Sequence, residues 1–384
     1  MSHAGISACR SLGRTAAVLI AAAAALALGA CGESEPILLG FSGTFTGKYA
    51  DLGVQGRNGA QLAVETINQE GGVAGRPIKL LVENDNGTVQ GAIQADTTLI
   101  DQGAAAIVGH MTSSQSLGAL PTVEQAGLVL FSPSSSTPKL KGRRDAFFRT
   151  ATSSDAEAAA LGEYMRDHGV DTASIVLDVD NEGYTGPYAE AFAEAFTALG
   201  GRLEDRILFS SSRIEDWDRI VSRLKKDTPE ALLIVASSRD TATLAQRLGM
   251  AGVEPLLFGS GWARTGDLPK YGGKTVEGMI FGSPFDAQSQ APAYLEFQQR
   301  YKERFGAKPT FAAVYAYEAV LFLAQALEQT GGDPGQLKEA LPEVEEIQGL
   351  MGPLALDEYG DIQRSTNIEE VKNGEFVVLE VVGE

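Results

Sequence analysis

Cysteine is almost missing: the chain has 2 in 384 residues. Neither a disulfide framework nor a Cys-rich zinc site can be built from two. Histidine is equally scarce at 3, and no His-x-x-x-His or Cys-x-x-Cys occurs, so the spacing of a zinc site is absent. Basic residues are in deficit, with 31 Lys+Arg against 50 Asp+Glu and a formal net charge of −19. No basic face is left over to neutralise phosphates, which argues against a nucleic-acid partner and against docking on anionic lipid by charge. No G-x-S-x-G elbow is present. The segment Gly43-Thr44-Phe45-Thr46-Gly47-Lys48-Tyr49 is one residue short of a phosphate loop, and Tyr49 stands where Ser or Thr must ligate magnesium. Gly53, Gly56 and Gly59 are spaced three apart, which is not the dinucleotide fingerprint. No cofactor, no metal and no catalytic residues are therefore expected, and the chain does not read as an enzyme.

Long hydrophobic runs are missing too. Ala16 to Ala30 is apolar, but 15 residues fall short of the about 20 a membrane-spanning helix needs. Arg10 and Arg14 precede this run and no acid appears before Glu33, so residues 1–30 read as a secretory signal peptide. The run ends in Leu28-Gly29-Ala30-Cys31, which resembles a bacterial lipobox. That resemblance implies cleavage before Cys31 and a diacylglyceryl thioether on its sulfur, with residues 31–36 as lipidated cysteine and linker. The mature chain would have 354 residues, with 29 basic against 50 acidic side chains and a formal charge of −21. It would sit in the periplasm or on the cell surface, held by its lipid. With Cys31 consumed no thiol remains, so the fold must be stabilised by its core.

What is present is a regular alternation. Ile37–Phe41, Ile78–Val82, Ala105–Val108 and Leu128–Phe131 read as strands, and segments with helical apolar spacing separate them, such as Ala60, Ala63, Val64 and Ile67. The pattern resumes with strands at Ala173–Leu177, Leu203–Phe209, Ala231–Val235, Leu256–Phe258 and Met279–Phe281. Continuous apolar strands such as Leu232-Leu233-Ile234-Val235 belong to parallel sheets covered on both faces. About nine strands before Pro284 are too many for one sheet and read as two βα sets. Two helices, Tyr294–Phe305 and Phe311–Gln329, then follow with no strand between, and the C-terminal end is β-rich. The expected fold is α/β.

Ligands of open α/β sheets bind beyond the carboxyl ends of the strands. The loops of interest therefore begin at Ser42, Gly109, Ser132, Asp178, Ser237 and Gly259. Two of them carry hydroxyl clusters, Thr112-Ser113-Ser114 and Ser132-Pro133-Ser134-Ser135-Ser136-Thr137. Such residues cap helices, and hydroxyls beside a helix N-terminus also bind a carboxylate. His110 begins a strand-end loop and His168 sits at a helix end, where a cation suits the dipole. Asn86-Gly87-Thr88 reads as a strand-to-helix turn with Thr88 as N-cap.

In order and spacing, several segments resemble the leucine/isoleucine/valine-binding type of periplasmic solute receptor that serves ABC transporters. They are Gly47–Gly53, Ile67–Ile78, Ile107–Ser114, the Ser132-Pro133 loop, Asn181–Gly186, Met351–Leu354 and Asp357–Asp361. The resemblance covers nearly all of the mature chain. It implies two doubly wound α/β lobes joined by three hinge crossings, near Thr152, Pro284 and Pro353. The N-terminal lobe would comprise 37–152 plus 285–352, and the C-terminal lobe 153–284 plus 353–384. It implies a ligand cleft between lobes, with the ligand carboxylate on Ser113, Ser114, Ser134 and Ser136 and Tyr184 closing from the second lobe. Its partners would be a small ligand, an amino acid or a related carboxylate or amide, and an ABC permease, with the protein acting as a monomer. A sensor of the same fold reporting to a signalling partner is the other reading.

Two positions depart from the family pattern. Leu52 stands where an aromatic ends the first loop. The loop after Phe258, Gly259-Ser260-Gly261-Trp262, lacks the acid that meets a ligand amine. Asp178, Asp180 and Glu182, near Tyr184, are the candidates to take its place. Trp262 either stacks on the ligand or packs the hinge side. With Leu52, Met111 and Trp262 in the pocket, a receptor for an aromatic or apolar ligand is the alternative.

Overall fold

The computed structural model describes residues 34–47, 49–213 and 217–382. The signal peptide and lipidated Cys31 expected above lie outside these residues. The first lobe alternates β1 (Ile37–Gly43), α1 (Ala50–Gln69), β2 (Ile78–Asn84), α2 (Val89–Asp101), β3 (Ala106–Val108), α3 (Ser113–Gln125), β4 (Leu130–Ser132) and β5 (Phe147–Arg149). Its five strands are parallel, in the order β2-β1-β3-β4-β5. Strand order reverses at β1, so the loops after β1 and β3 diverge and open a crevice between them. Thr88 caps α2 as its sequence suggests, accepting from the Gly91 N–H at 3.0 Å.

The second lobe repeats the scheme with α4 (Ser154–Asp167), β6 (Thr172–Asp178), α5 (Glu182–Ala198), β7 (Arg202–Phe209), α6 (Trp217–Lys226), β8 (Ala231–Val235), α7 (Ser238–Ala251), β9 (Leu256–Gly259), α8 (Asp267–Gly272) and β10 (Ile280–Ser283). All five residues of β8 are buried, as befits a central strand covered on both faces. The chain then returns to the first lobe with α9 (Pro292–Phe305), α10 (Phe311–Gln329), the short α11 (Leu337–Ala340) and a small ribbon of β11 (Ile347–Gln348) and β12 (Pro353–Leu354). Helix α10 is long and apolar enough to cross a membrane, but it is mostly buried and packs along α1. The antiparallel hairpin of β13 (Thr366–Lys372) and β14 (Glu375–Val382) completes the second sheet, in the order β14-β13-β10-β9-β8-β6-β7.

The first two crossings between lobes span 150–153 and 284–291. The third lies later than the sequence suggests. Gly360 O accepts from the Arg149 N–H at 3.0 Å, and Asp361 bonds the fully buried Arg149 guanidinium at 2.6 Å and the Gly142 N–H at 2.8 Å. Residues 353–361 thus remain on the first lobe, and the chain crosses only at 362–365. One side chain ties the crossings together. Tyr315 on α10 donates its hydroxyl to Pro284 O at 3.1 Å, and its carbonyl accepts from Thr150 Oγ1 at 2.8 Å. The Arg364 guanidinium lies 4.3 Å from the centre of its ring.

Candidate functional site

The strand ends of the two sheets face each other across a cleft. Leu52, Met111, Ser113, Ser134, Ser136 and Phe311 line it from the first lobe, and Glu157, Asn181, Tyr184 and Trp262 from the second. The hinge residues Thr152, Ser283, Pro284 and Tyr315 form its back. The lobes are closed on one another. Tyr49 donates its hydroxyl to Asp178 at 3.0 Å, and Asp51 accepts from Ser238 at 2.9 Å and Thr265 at 2.6 Å. Such cross-lobe bonds belong to the closed state of a hinged pair.

Of the four serines expected at a carboxylate, Ser113, Ser134 and Ser136 reach the cleft and Ser114 does not. Ser114 bridges the lobes instead: its Oγ accepts from the Gly183 N–H at 2.9 Å and its own N–H donates to Asn181 at 3.1 Å. Ser134 donates its hydroxyl to Met111 O at 3.0 Å, which leaves its oxygen only as an acceptor toward the cleft. Ser113 opens α3, a 13-residue helix with no acid in its first turn. The positive end of its dipole therefore faces the same space. No Lys, Arg or His side chain lines the cleft among the described residues. An anion here would be held by hydroxyls and helix N–H groups alone.

Below this loop His110 is fully buried between two carboxylates, 3.0 Å from Asp96 and 3.5 Å from Asp85. Burial pulls its pKa down, but the charge of Asp96 and the bond to Asp85 outweigh that and raise it to about 9. Its carbonyl accepts from Ser132 at 2.8 Å, and Ser116 accepts from its N–H at 3.2 Å. His110 is thus a support for the loop and no ligand contact. His168 is at the end of α4, as read from the sequence.

Trp262 packs between Tyr49 at 5.5 Å and Tyr184 at 6.0 Å while also lining the cleft. Tyr49, three residues before Leu52, backs Trp262 and is not among the residues that line the cleft. Tyr184 is 5% exposed and packs on Tyr188 at 5.4 Å, so it is a wall of the site and also part of the core.

None of the acids nominated near Tyr184 lines the cleft. Asp178 bonds Tyr49 and Ser211, Asp180 bonds Ser210 and Ser212, and Glu182 is exposed beside Lys139. The acid in the cleft is Glu157, from the first turn of α4. Its Oε1 accepts from the Gly261 N–H at 2.9 Å. A Cβ added to Gly261 would stand 3.0 Å from both Glu157 oxygens, and one added to Gly282 would stand 2.9 Å from its Cγ. Two glycines thus make room for this side chain, and its carboxyl fills the place a side chain at 261 would take. Burial raises its pKa from 4.5 to about 7 despite the Gly261 bond and the nearby Tyr188 and Arg264. Arg264 is engaged bidentately by Glu369, and no cation pairs with Glu157 among the described residues.

Comparison with known proteins agrees with this architecture. The chain is similar to a Leu/Ile/Val-binding protein homolog of Brucella melitensis, 25% identical over 90% of this chain and 94% of that one. Its fold matches a branched-chain amino acid transporter substrate-binding protein of Streptococcus pneumoniae in complex with isoleucine, at a TM-score of 0.83 with 21% identity, over 91% of this chain and 99% of the other. It matches equally the solute-binding protein of an R. palustris ABC transporter in complex with benzoate, at a TM-score of 0.82 with 20% identity, over 90% and 96%. The family model for periplasmic binding proteins matches residues 36–375, and the chain belongs to that family.

Proposed function

We propose that the protein is an extracytoplasmic, lipid-anchored solute receptor that captures a small carboxylate-bearing ligand between its lobes and delivers it to an ABC permease. The observation that carries this reading is the cleft itself. It lies between two hinged lobes and is walled by Leu52, Met111, Trp262 and Phe311. The Ser113 and Ser136 side chains and the start of α3 stand at one wall. Apolar walls with a few polar groups at fixed places are the usual build of a small-molecule site. Helix N–H groups and hydroxyls suit a carboxylate without a basic residue. The relatives named for branched-chain amino acids support an amino acid as ligand, and the structural likeness to a benzoate receptor supports an aromatic acid as the second reading. The aromatic side chains around the cleft, Tyr184, Trp262 and Phe311, suit a ring on either kind of ligand.

The test is a thermal-shift and calorimetric screen of amino acids, aliphatic acids and aromatic acids. Saturating ligand at about 100 times Kd adds about 2.7 kcal/mol to stability. The double variant Ser113→Ala/Ser136→Ala is expected to weaken carboxylate binding at least tenfold, since each hydrogen bond to a charged group contributes about 1.5–3 kcal/mol. Unchanged affinity in that variant rejects the carboxylate subsite.

A further inference from the structure

We propose that Glu157 is the acceptor for a cationic nitrogen of the ligand, so that the cleft is built for zwitterions in preference to plain carboxylic acids. This deepens the reading above and rests on it. The role belongs to an acid reached from α4, 104 positions before the glycine whose side-chain space it fills.

Three observations carry the inference. Glu157 lines the cleft and is 7% exposed, so water does not solvate its charge. Its hydrogen-bond partners, the Gly261 N–H and the Tyr188 hydroxyl, are both neutral and leave its charge without a counter-ion. The titratable and charged groups around it are Tyr184 and Tyr188 on α5, Arg264 after β9, Glu369 on β13 and Tyr315 on α10. Arg264 is the only cation of the set, and Glu369 holds it on two atoms. Burying a carboxylate without a counter-charge is costly unless something binds it there. Finally, Gly261 and Gly282 are shaped around this side chain, so its position is fixed by two separate strand ends.

The cleft therefore has one wall of hydroxyls and helix N–H groups with no cation, and one unpaired acid. A zwitterion matches both. A benzoate-like anion places a second negative charge in the same closed space, and must enter with a proton on Glu157. The two ligand classes thus move protons in opposite directions. With a pKa of about 7 in the unliganded cleft, an ammonium expels about half a proton at pH 7, whereas an acid without an amine takes up about half.

The experiment is isothermal titration calorimetry at pH 7 in two buffers of different ionisation enthalpy. The probes are L-leucine and L-phenylalanine, set against 4-methylpentanoate and 3-phenylpropanoate, which lack only the amine. The expected result is tighter binding of the amino acids with proton release. In Glu157→Gln that release disappears and amino acid affinity falls by roughly 100-fold or more, while the deaminated acids bind as well or better. Acids that bind the wild type as tightly as their amino counterparts overturn this inference and leave the solute-receptor reading standing, as does unchanged amino acid affinity in Glu157→Gln. A protein that binds none of the four, while melting cooperatively, overturns both.

Discussion

Glu157 makes the apo protein less stable than it need be. Its folded pKa of about 7 lies above the unfolded value of 4.5. The folded state therefore holds the proton more tightly, and stability is lost as pH rises from about 4.5 to about 7. Above pH 7 the loss is complete, on the order of 3 kcal/mol. Glu157→Gln is expected to raise the ligand-free melting temperature at pH 8, with the gain fading by pH 5. A variant no more stable than wild type at pH 8 would show that the carboxylate is compensated within the protein. The sequence conceals this residue for a physical reason. Ser154-Asp155-Ala156-Glu157 reads as the acidic first turn of a helix, where such charges complement the dipole. Only the packing of α4 against the ends of β9 and β10 turns it into the cleft. The serines, Leu52 and Trp262 were legible because each follows a strand end, whereas the Ser114 bonds to the second lobe depend on closure.

At the scale of elements, the loop between β3 and α3 is held from beneath by a buried ion cluster. His110 keeps its charge across the physiological range. Its pKa is about 9 against an unfolded 6.5, so its contribution is complete below pH 6.5 and is lost as pH rises through 9. Asp85 is shifted down despite its burial, because His110 bonds and attracts it, so its contribution is lost on acidification. His110→Gln is expected to destabilise the protein by roughly 3–5 kcal/mol at pH 7, measured by denaturant unfolding, because it strands two buried carboxylates. A loss below about 1 kcal/mol would mean the cluster relaxes and the cation is dispensable. Helices and central strands were readable from periodicity. The edge strand β5 was not, because Phe147-Phe148-Arg149 is three residues long and ends in a cation. Its ion partner Asp361 lies 212 positions away. The same bond explains why the third crossing was expected too early: nothing in the local sequence says that 353–361 is pinned to the first lobe.

For the whole molecule, on the proposed reading, an acidic chain with no surplus of basic residues depends on a lipid at Cys31 to stay near a permease. The five residues Gly32–Pro36 separate Cys31 from β1. At about 3.3–3.6 Å each, five residues would let the lobes of the proposed lipid-anchored form stand at most about 18 Å from the lipid. Cys31→Ser is expected to shift the protein from the membrane to the soluble fraction without changing ligand affinity; persistent membrane fractionation would reject the lipid anchor. The two-lobe plan was evident from the double run of βα units.

Tyr315 is both the fastening of the three crossings and part of the back wall of the cleft. Whatever fills the cleft thus leans on the pivot of the motion that encloses it. Two solutes held with the same Kd can press differently on that ring and leave different fractions of the receptor shut. How tightly a compound is held and how far it shuts the lobes are then separate properties of the same pocket. On the proposed transport reading, a well-bound analogue that props the pivot open would occupy the receptor without being imported, and so act as an inhibitor of uptake.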